Sequence, residues 1–300
     1  MLSLHDFSQL HLEDKQLFDQ VYQQYPPNHS DYLFTTMISW MQYGNYHIAQ
    51  LQNSIIILTK IHQDIRFRPP IGKQNKQKLE QLFKLAQQEG SLEPIGVIDT
   101  PSKKWISQVF PNMNFTEHRD YFDYVYKASD LAMLQGSSYA KIRNRLNKFK
   151  NKYEYSVEEI TESNIDEIKE FLKRWCLWKD CESDEVLENE RIAILFSMAH
   201  FFDLHLSGIA LRVNDAIEAI SVYEQLNLTT AVVHYEKGSP DYDGIYKAIN
   251  METAKKLQNK VEYINRESDM GIPGLRKAKM SYRPHHLEKV YHIKKEDMLF

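Results

Sequence analysis

The sequence predicts an α/β (α+β) chain made of two copies of one unit, each a mixed sheet flanked by helices. Three observations carry this. The order helix–helix–strand–strand–strand–helix–strand reads twice along the 300 residues, without a residue-level repeat. A cationic helical stretch, 137–153, separates the copies, so the expected domains are 1–152 and 153–300. The last strand-like run, Val261 to Ile264, opens onto NRESDMGIPGLRKAKMSYRP, an acidic pair, a glycine-punctuated turn and four cations. The length suits roughly two domains at about 150 residues each.

In the first copy, 12–25 reads as a helix broken by Pro26 and Pro27. Asn28, Ser30 and Asp31 are N-cap candidates for a second helix over 32–42. Residues 46–52 and 53–61 read as strands meeting at a polar turn, and 65–71 as a third, stopped by Pro69 and Pro70. Leu79, Leu82, Phe83 and Ala86 give 76–88 helical spacing, ended by Gly90. A strand over 94–99, a short helix over 103–110 and a strand over 121–127 complete it. The second copy begins with a strand over 153–160 and helices from Asn164 and over 188–202. Strands over 207–213, 216–226 and 229–236 follow, then a helix over 244–258 and a strand over 261–266.

Composition is ordinary for a globular chain, with 42% apolar and 26% charged residues. The net charge of -4 excludes an overall basic footprint, so any nucleic-acid or anion contact must be local. Cys176 and Cys181 are five apart. They fit neither a CxxC pair nor a metal cluster, and two thiols make no secreted disulfide scaffold, so a reducing cytoplasm is expected. The N-terminus lacks a basic region and a long apolar core, and the longest uncharged run, 32–59, is too polar to span a bilayer. A soluble protein without a transmembrane segment follows.

Two stretches carry the chemistry. In 137–153, Tyr139, Ile142, Leu146 and Phe149 form one apolar face, and Lys141, Arg143, Arg145, Lys148, Lys150 and Lys152 surround it with no acid among them. Such a helix faces an anion, a tRNA or lipid headgroups, or else packs on the acidic residues 180–190. In 265–284, Gly271, Pro273 and Gly274 mark a turn before Arg276, Lys277, Lys279 and Arg283. The plain alternative is a tight turn leading into a solvated basic strand.

A three-strand meander, a helix and a strand is the element order of a GNAT acyltransferase. In that layout the strands flanking the helix are parallel and splay apart, with ligands beyond their carboxyl ends. Glu236, Lys237, Arg266 and Glu267 would then ring a helix N-terminus at Gly244, with Arg276 and Lys277 close by. A carboxylate there could accept a proton and a cation could stabilise an oxyanion. A buried ion-pair network at a sheet edge is the alternative. The connecting segment, EKGSPDYDGIYK, lacks a glycine-rich pyrophosphate loop, and Asp241 and Asp243 would repel one, which argues against ordinary acetyl-CoA use.

The last stretch, together with SSYAKIRNRLNKFKNKY and HYEKGSPDYDGIYKAIN, resembles the phosphatidylglycerol lysyltransferase C-terminal domain family. That family is similar to the Fem peptidyltransferases, with tandem GNAT-like domains. The resemblance spans most of the chain. It implies transfer of an aminoacyl group from aminoacyl-tRNA to a lipid or other acceptor, with no cofactor and with aminoacyl-tRNA as co-substrate in preference to acetyl-CoA. The partners it implies are a tRNA acceptor end and the anionic headgroups of a membrane surface. An acyl-CoA N-acyltransferase and a non-catalytic anion- or partner-binding tandem fold are the rival readings.

Two departures stand out. The multi-helix membrane domain that precedes this region in the lipid-modifying enzymes is not among these 300 residues, and Ser137 and Ser138 stand where lysines are expected. Carried over by residue, Glu267, Asp269, Glu236 and Tyr282 are candidate catalytic groups. Lys237, Arg266, Arg276, Lys277, Lys279, Arg143, Asn144, Lys141, Arg145, Asn265 and Gly244 are candidate binding groups.

Overall fold

The computed structural model describes residues 2–299, apart from the side chain of Ser183. The chain forms two compact units. Unit 1 comprises 1–123, 268–272 and 288–300, and unit 2 comprises 124–267 and 273–287. This differs from the expected break at 152/153, because strand pairing assigns 124–152 to unit 2 and returns the C-terminus to unit 1.

The elements fall close to their expected places. Helices α1 (Lys15–Tyr22), α2 (Phe34–Ser39) and α3 (Met41–Gly44) accompany the short strand β1 (Ser8–Gln9). The first meander is β2 (Tyr46–Leu51), β3 (Ser54–Ile61) and β4 (Asp64–Phe67), followed by the short β5 (Ile71–Gly72). Helix α4 (Lys76–Glu89), capped by Asn75, leads to β6 (Ile95–Asp99). Asp99 then caps α5 (Thr100–Val109) through a 3.0 Å bond from the Ser102 N–H, and β7 (Thr116–Glu117) follows.

Unit 2 is built around β8 (Asp123–Lys127), α6 (Ala128–Met133), α7 (Ala140–Lys152) and β9 (Tyr155–Glu159). Helices α8 (Ile165–Lys179) and α9 (Glu185–Ala199) come next, then β10 (Ser207–Val213), β11 (Ala216–Asn227) and β12 (Thr230–Gly238). Helix α10 (Ile245–Leu257) connects to β13 (Tyr263–Asn265). The chain closes with α11 (Pro273–Ser281), β14 (His286–Glu288) and β15 (Val290–Ile293).

The repeat read from the sequence is real in topology. In unit 1 the antiparallel β2–β3–β4 meander is followed by α4 and by β6, which pairs parallel to β4. In unit 2 the antiparallel β10–β11–β12 meander is followed by α10 and by β13, parallel to β12. A strand distant in sequence then extends each sheet, β15 beside β6 and β8 beside β13, with β7 and β14 at the respective edges. Each unit has its own core, formed in unit 1 around Phe67, Leu79, Phe83 and Ile98, and in unit 2 around Tyr126, Phe149, Ala248 and Ile264.

Two expectations need correction. The basic run after Gly274 is the helix α11, opened by Pro273 at its first position, and not a basic strand. Cys176 and Cys181 are joined as a disulfide with Cα atoms 5.4 Å apart, where a reducing compartment was expected. Among the described residues no helix is long and apolar enough to cross a membrane.

Candidate functional site

The site in unit 2 begins with a defect in β12. Tyr223 of β11 faces Val233, but Val222 faces Tyr235, so His234 is an extra residue in β12. A bulge of this kind reverses the alternation of every later side chain. Before it, Ala231 and Val233 pack in the core with α10. After it, Glu236 turns to α10, where Asn250 Nδ2 donates to its carboxylate at 3.1 Å. Tyr235 and Lys237 turn away, to Ser197 and Glu190 of α9.

The parallel pairing of β12 and β13 covers only Thr230 to Val232 against Tyr263 to Asn265, while β12 runs on to Gly238. Beyond the last pair the strands are no longer bonded to each other, and the space between them is spanned by side chains. Arg266, the residue after β13, donates its guanidinium to Glu236 Oε2. The Arg266 and Glu236 side chains are 17% and 8% exposed, so this is a largely desolvated pair.

The rings of Tyr126 and Tyr282 lie beside the guanidinium, the Tyr282 centroid 5.0 Å away. Burial raises the pKa of both phenols. Lys247, in the first turn of α10, places Nζ 4.6 Å from the centre of the same Tyr282 ring. Burial, followed by the nearby charges of Arg266 and Arg145, pushes its pKa down to about 8, with Glu236 opposing.

A second buried charge group locks the turn after β13. His234 reaches Glu267 Oε1 through Nδ1 and Glu224 Oε1 through Nε2, both at 2.8 Å. Burial alone would lower the histidine pKa. The Glu224 and Glu267 hydrogen bonds outweigh it and lift the pKa to about 10. Glu267 sits at φ 57, and its N–H donates to Asn265 Oδ1 at 2.7 Å. Lys279 Nζ donates to the carbonyl oxygens of Arg266 and Glu267, so α11 holds the backbone of the site.

The expected site residues divide accordingly. Glu236, Arg266, Tyr282 and Lys279 come together. Glu267 lies beside them in sequence, but its carboxylate is engaged by His234, and Asn265 is the fully buried last residue of β13. Lys237 does not join Glu236, because neighbouring strand residues face opposite sides; the bulge turns Glu236 to α10, and Lys237 lies under Trp175, 4.4 Å from the ring, and bonds to Glu190 at 2.7 Å. Asp269 belongs to unit 1, where it is fully buried, bonded to Arg119 at 3.1 Å and to the Gly271 N–H at 3.0 Å. Its expected catalytic role gives way to an ion pair.

On α7, Arg143 turns back to the Leu134 and Gly136 carbonyls that end α6, so it closes a helix terminus instead of facing an anion. Lys141, Asn144 and Arg145 are exposed, and Arg145 pairs with Asp243 at 3.3 Å. Helix α7 packs on α10. Gly244, at φ +97, lets them meet, since a Cβ there would lie 2.9 Å from both the Arg145 carbonyl oxygen and Phe149 Cβ. Tyr139 Oη donates to the Tyr282 carbonyl at 3.1 Å, so the N-terminal end of α7 also borders the segment after α11. On α11, Arg276 is half-buried and Lys277 is exposed.

Sequence reasoning missed Lys247 and Asn250. Both lie on the α10 turns that face Glu236. Their only signal was position, three and six residues after Gly244 at the start of a helix that follows the splayed strand. Among the described residues no group of His, Cys, Asp or Glu has the geometry to hold a metal ion. A cavity of about 290 Å³ lies between α8 and α9, around Leu172, Trp175 and Ile194, and touches the cluster only through Trp175, whose Nε1 donates to Tyr246 Oη at 3.2 Å.

A meander, a helix and a strand parallel to the last meander strand, given twice, with a bulge and a carboxylate–guanidinium pair in the second copy, define a tandem GNAT-like fold. Residues 22–294 match the family described as phosphatidylglycerol lysyltransferase, C-terminal, and the chain belongs to that family. A conserved protein of unknown function from Bacteroides thetaiotaomicron is 30% identical, with a TM-score of 0.86 over 96% of this chain and 99% of that one. L-PGS from Bacillus licheniformis shares the fold at 12% identity, with a TM-score of 0.62 over 93% and 91% of the two chains. FemX does so at 10% identity, with a TM-score of 0.54 over 97% and 98%. An uncharacterized protein of Mycoplasmoides gallisepticum is 25% identical over 179 residues, 59% of this chain and 57% of that protein. The match thus spans little more than half the length of that curated relative.

Proposed function

We propose that unit 2 moves an aminoacyl group from aminoacyl-tRNA to an amine or hydroxyl acceptor, a lipid headgroup or a small molecule. The observation that carries this reading is the largely desolvated Arg266–Glu236 pair at the end of the splayed strands, with Lys247 beside it over the Tyr282 ring. In the reaction, the acceptor nitrogen or oxygen bonds to the ester carbonyl carbon and releases its proton to Glu236. Arg266 and Lys247 stabilise the charge that develops on the carbonyl oxygen, and the ribose oxygen leaves, taking up the proton that Glu236 received. Tyr282 remains a neutral phenol supporting both cations. Exposed cations of α7 and α11 (Lys141, Arg145 and Lys277) receive the tRNA acceptor end.

The family match supports transfer chemistry, and the EKGSPDYDGIYK connection without a pyrophosphate loop favours a donor other than CoA. The test is incubation with a pool of radiolabelled aminoacyl-tRNAs and cell extract. Label should leave tRNA with the wild type and stay on it with Glu236→Gln. If label stays put with the wild type, while acetyl-CoA protects the protein against heating, the donor is CoA.

A further inference from the structure

The tip of the α8–α9 hairpin holds large apolar side chains out in water. Leu177 and Trp178, in the last turn of α8, are 83% and 53% exposed, and Val186 in the first turn of α9 is exposed as well. The Cys176–Cys181 disulfide ties together the two ends of this segment, five residues apart. A clamp of that kind fixes the presentation of Leu177 and Trp178 in advance, which lowers the ordering cost of binding. Leu177 also walls the cavity of about 290 Å³ between α8 and α9, together with Leu172, Trp175, Ile194 and Leu195. Sites for small molecules run from about 300 to 1,000 Å³. This cavity falls just below that range, so it suits a side chain inserted by a partner better than a free cofactor.

The frame around the cavity is acidic. Residues 179–191 hold six acids against Lys179 and Arg191, a net of -4, as much as the whole chain carries. The cations on the cavity wall are matched, Arg191 by Glu188 and Lys173 by Glu170, both at 2.6 Å. Glu190 is engaged by Lys237 at 2.7 Å. Asp180, Glu182, Asp184 and Glu185 then stand against Lys179 alone, which lies over the Trp178 ring at 4.6 Å. The balance is negative by three charges, Asp184 being the cap of α9. Such a frame repels phosphates, whether of a nucleic acid or of an anionic bilayer. Its complement is a cationic partner with an apolar stripe, and a basic amphipathic helix supplies both. We infer that the tip of the α8–α9 hairpin docks a basic amphipathic helix of a partner protein. An apolar side chain of that helix enters the cavity beside Leu177, and its cations face Asp180, Glu182 and Glu185. The inference stands apart from the transfer reading.

The test is fluorescence anisotropy of a labelled leucine–lysine peptide of about 18 residues, long enough to form a helix, titrated with the full oxidised chain. A second peptide of the same composition, with its leucines scrambled, reports charge attraction alone. The wild type should bind the amphipathic peptide about tenfold more tightly than the scrambled one. Leu177→Ser, and Glu182→Lys combined with Glu185→Lys, each checked for folding by circular dichroism, should each lose about tenfold in affinity. Equal binding of the two peptides, or undiminished binding by folded Leu177→Ser, would overturn the inference. So would phosphatidylglycerol vesicles that sediment the wild type but not Leu177→Ser while the peptide stays unbound, which would make the tip a membrane contact. Reducing the disulfide should weaken peptide binding, and an unchanged affinity would overturn the part given to the clamp.

Discussion

Arg266 and Glu236, thirty residues apart in sequence, share one charge-assisted hydrogen bond in a largely desolvated setting. The bulge at His234 makes this possible by turning Glu236 toward α10. Breaking such a pair from one side leaves a buried charge alone, at about 3 kcal/mol. Glu236→Gln and Arg266→Gln should each destabilise unit 2 by about that amount in urea denaturation. The double variant should cost less than the sum of the two, with a coupling energy of about 1 kcal/mol or more. Additive losses would mean that the two side chains act independently.

His234 should make stability depend on pH in a defined direction. Its folded pKa of about 10 lies above the unfolded value of 6.5. The native state therefore holds the extra proton, and the stabilisation is complete below pH 6.5 and lost as pH rises through about 10. His234→Gln should cost about 3 kcal/mol at the low end of that range. The gap to wild type should narrow steadily toward the high end. A gap that stays constant with pH would show that the imidazole is neutral between its two glutamates.

Lys247 should behave as a residue kept for function at the expense of stability. Its folded pKa of about 8 lies below the ordinary lysine value of 10.5. The native state thus holds its proton less tightly, and stability from this group rises as pH climbs from 8 to 10.5. At neutral pH, Lys247→Met should stabilise the fold by about 1 kcal/mol while impairing transfer, a trade found at functional sites. Thermal melts at pH 7 and pH 10 give the comparison, with the gain expected mainly at pH 7. A destabilised Met variant would make Lys247 a packing residue.

Unit 1 carries its own pH-sensitive group. Burial raises the Glu288 pKa to about 7, with Asp99 and Asp123 adding to it and His29 opposing. The unfolded carboxylate ionises near 4.5, so this contribution to stability falls as pH rises from 4.5 to about 7. Glu288→Gln should stabilise the fold above pH 7 by about 1 kcal/mol after allowance for screening by solvent, read as a higher melting temperature. The gain should vanish toward pH 4.5. A gain that persists there would trace to packing and not to charge.

How far the sequence discloses this protein varies along the chain. The two meanders and their helices were legible because each buries a periodic apolar face, as Leu79, Leu82, Phe83 and Ala86 do in α4. Helix α11 was not, because it is short, none of its residues is buried, and Gly271, Pro273 and Gly274 at its start read as a turn. The strands that extend each sheet, β15 and β8, are long-range pairings, so the domain break set at 152/153 ignored them. Glu236 and Arg266 were expected near each other because both sit toward strand ends, and their side chains do pair. Which face Glu236 takes was not legible, because a one-residue bulge leaves no mark in composition yet reverses every following side chain, and Lys237, its neighbour on the strand, takes the other face. Asp269 was misplaced because adjacency to Glu267 in sequence says nothing about which unit receives it.

The most direct measurement is single-turnover transfer of radiolabelled aminoacyl groups from tRNA, comparing wild type, Glu236→Gln and Arg266→Gln, each first checked for folding by circular dichroism. The account predicts label moving to an extractable acceptor with the wild type, and a loss of about a hundredfold or more in both folded variants. Undiminished transfer by either folded variant would contradict it and place the chemistry elsewhere in the chain.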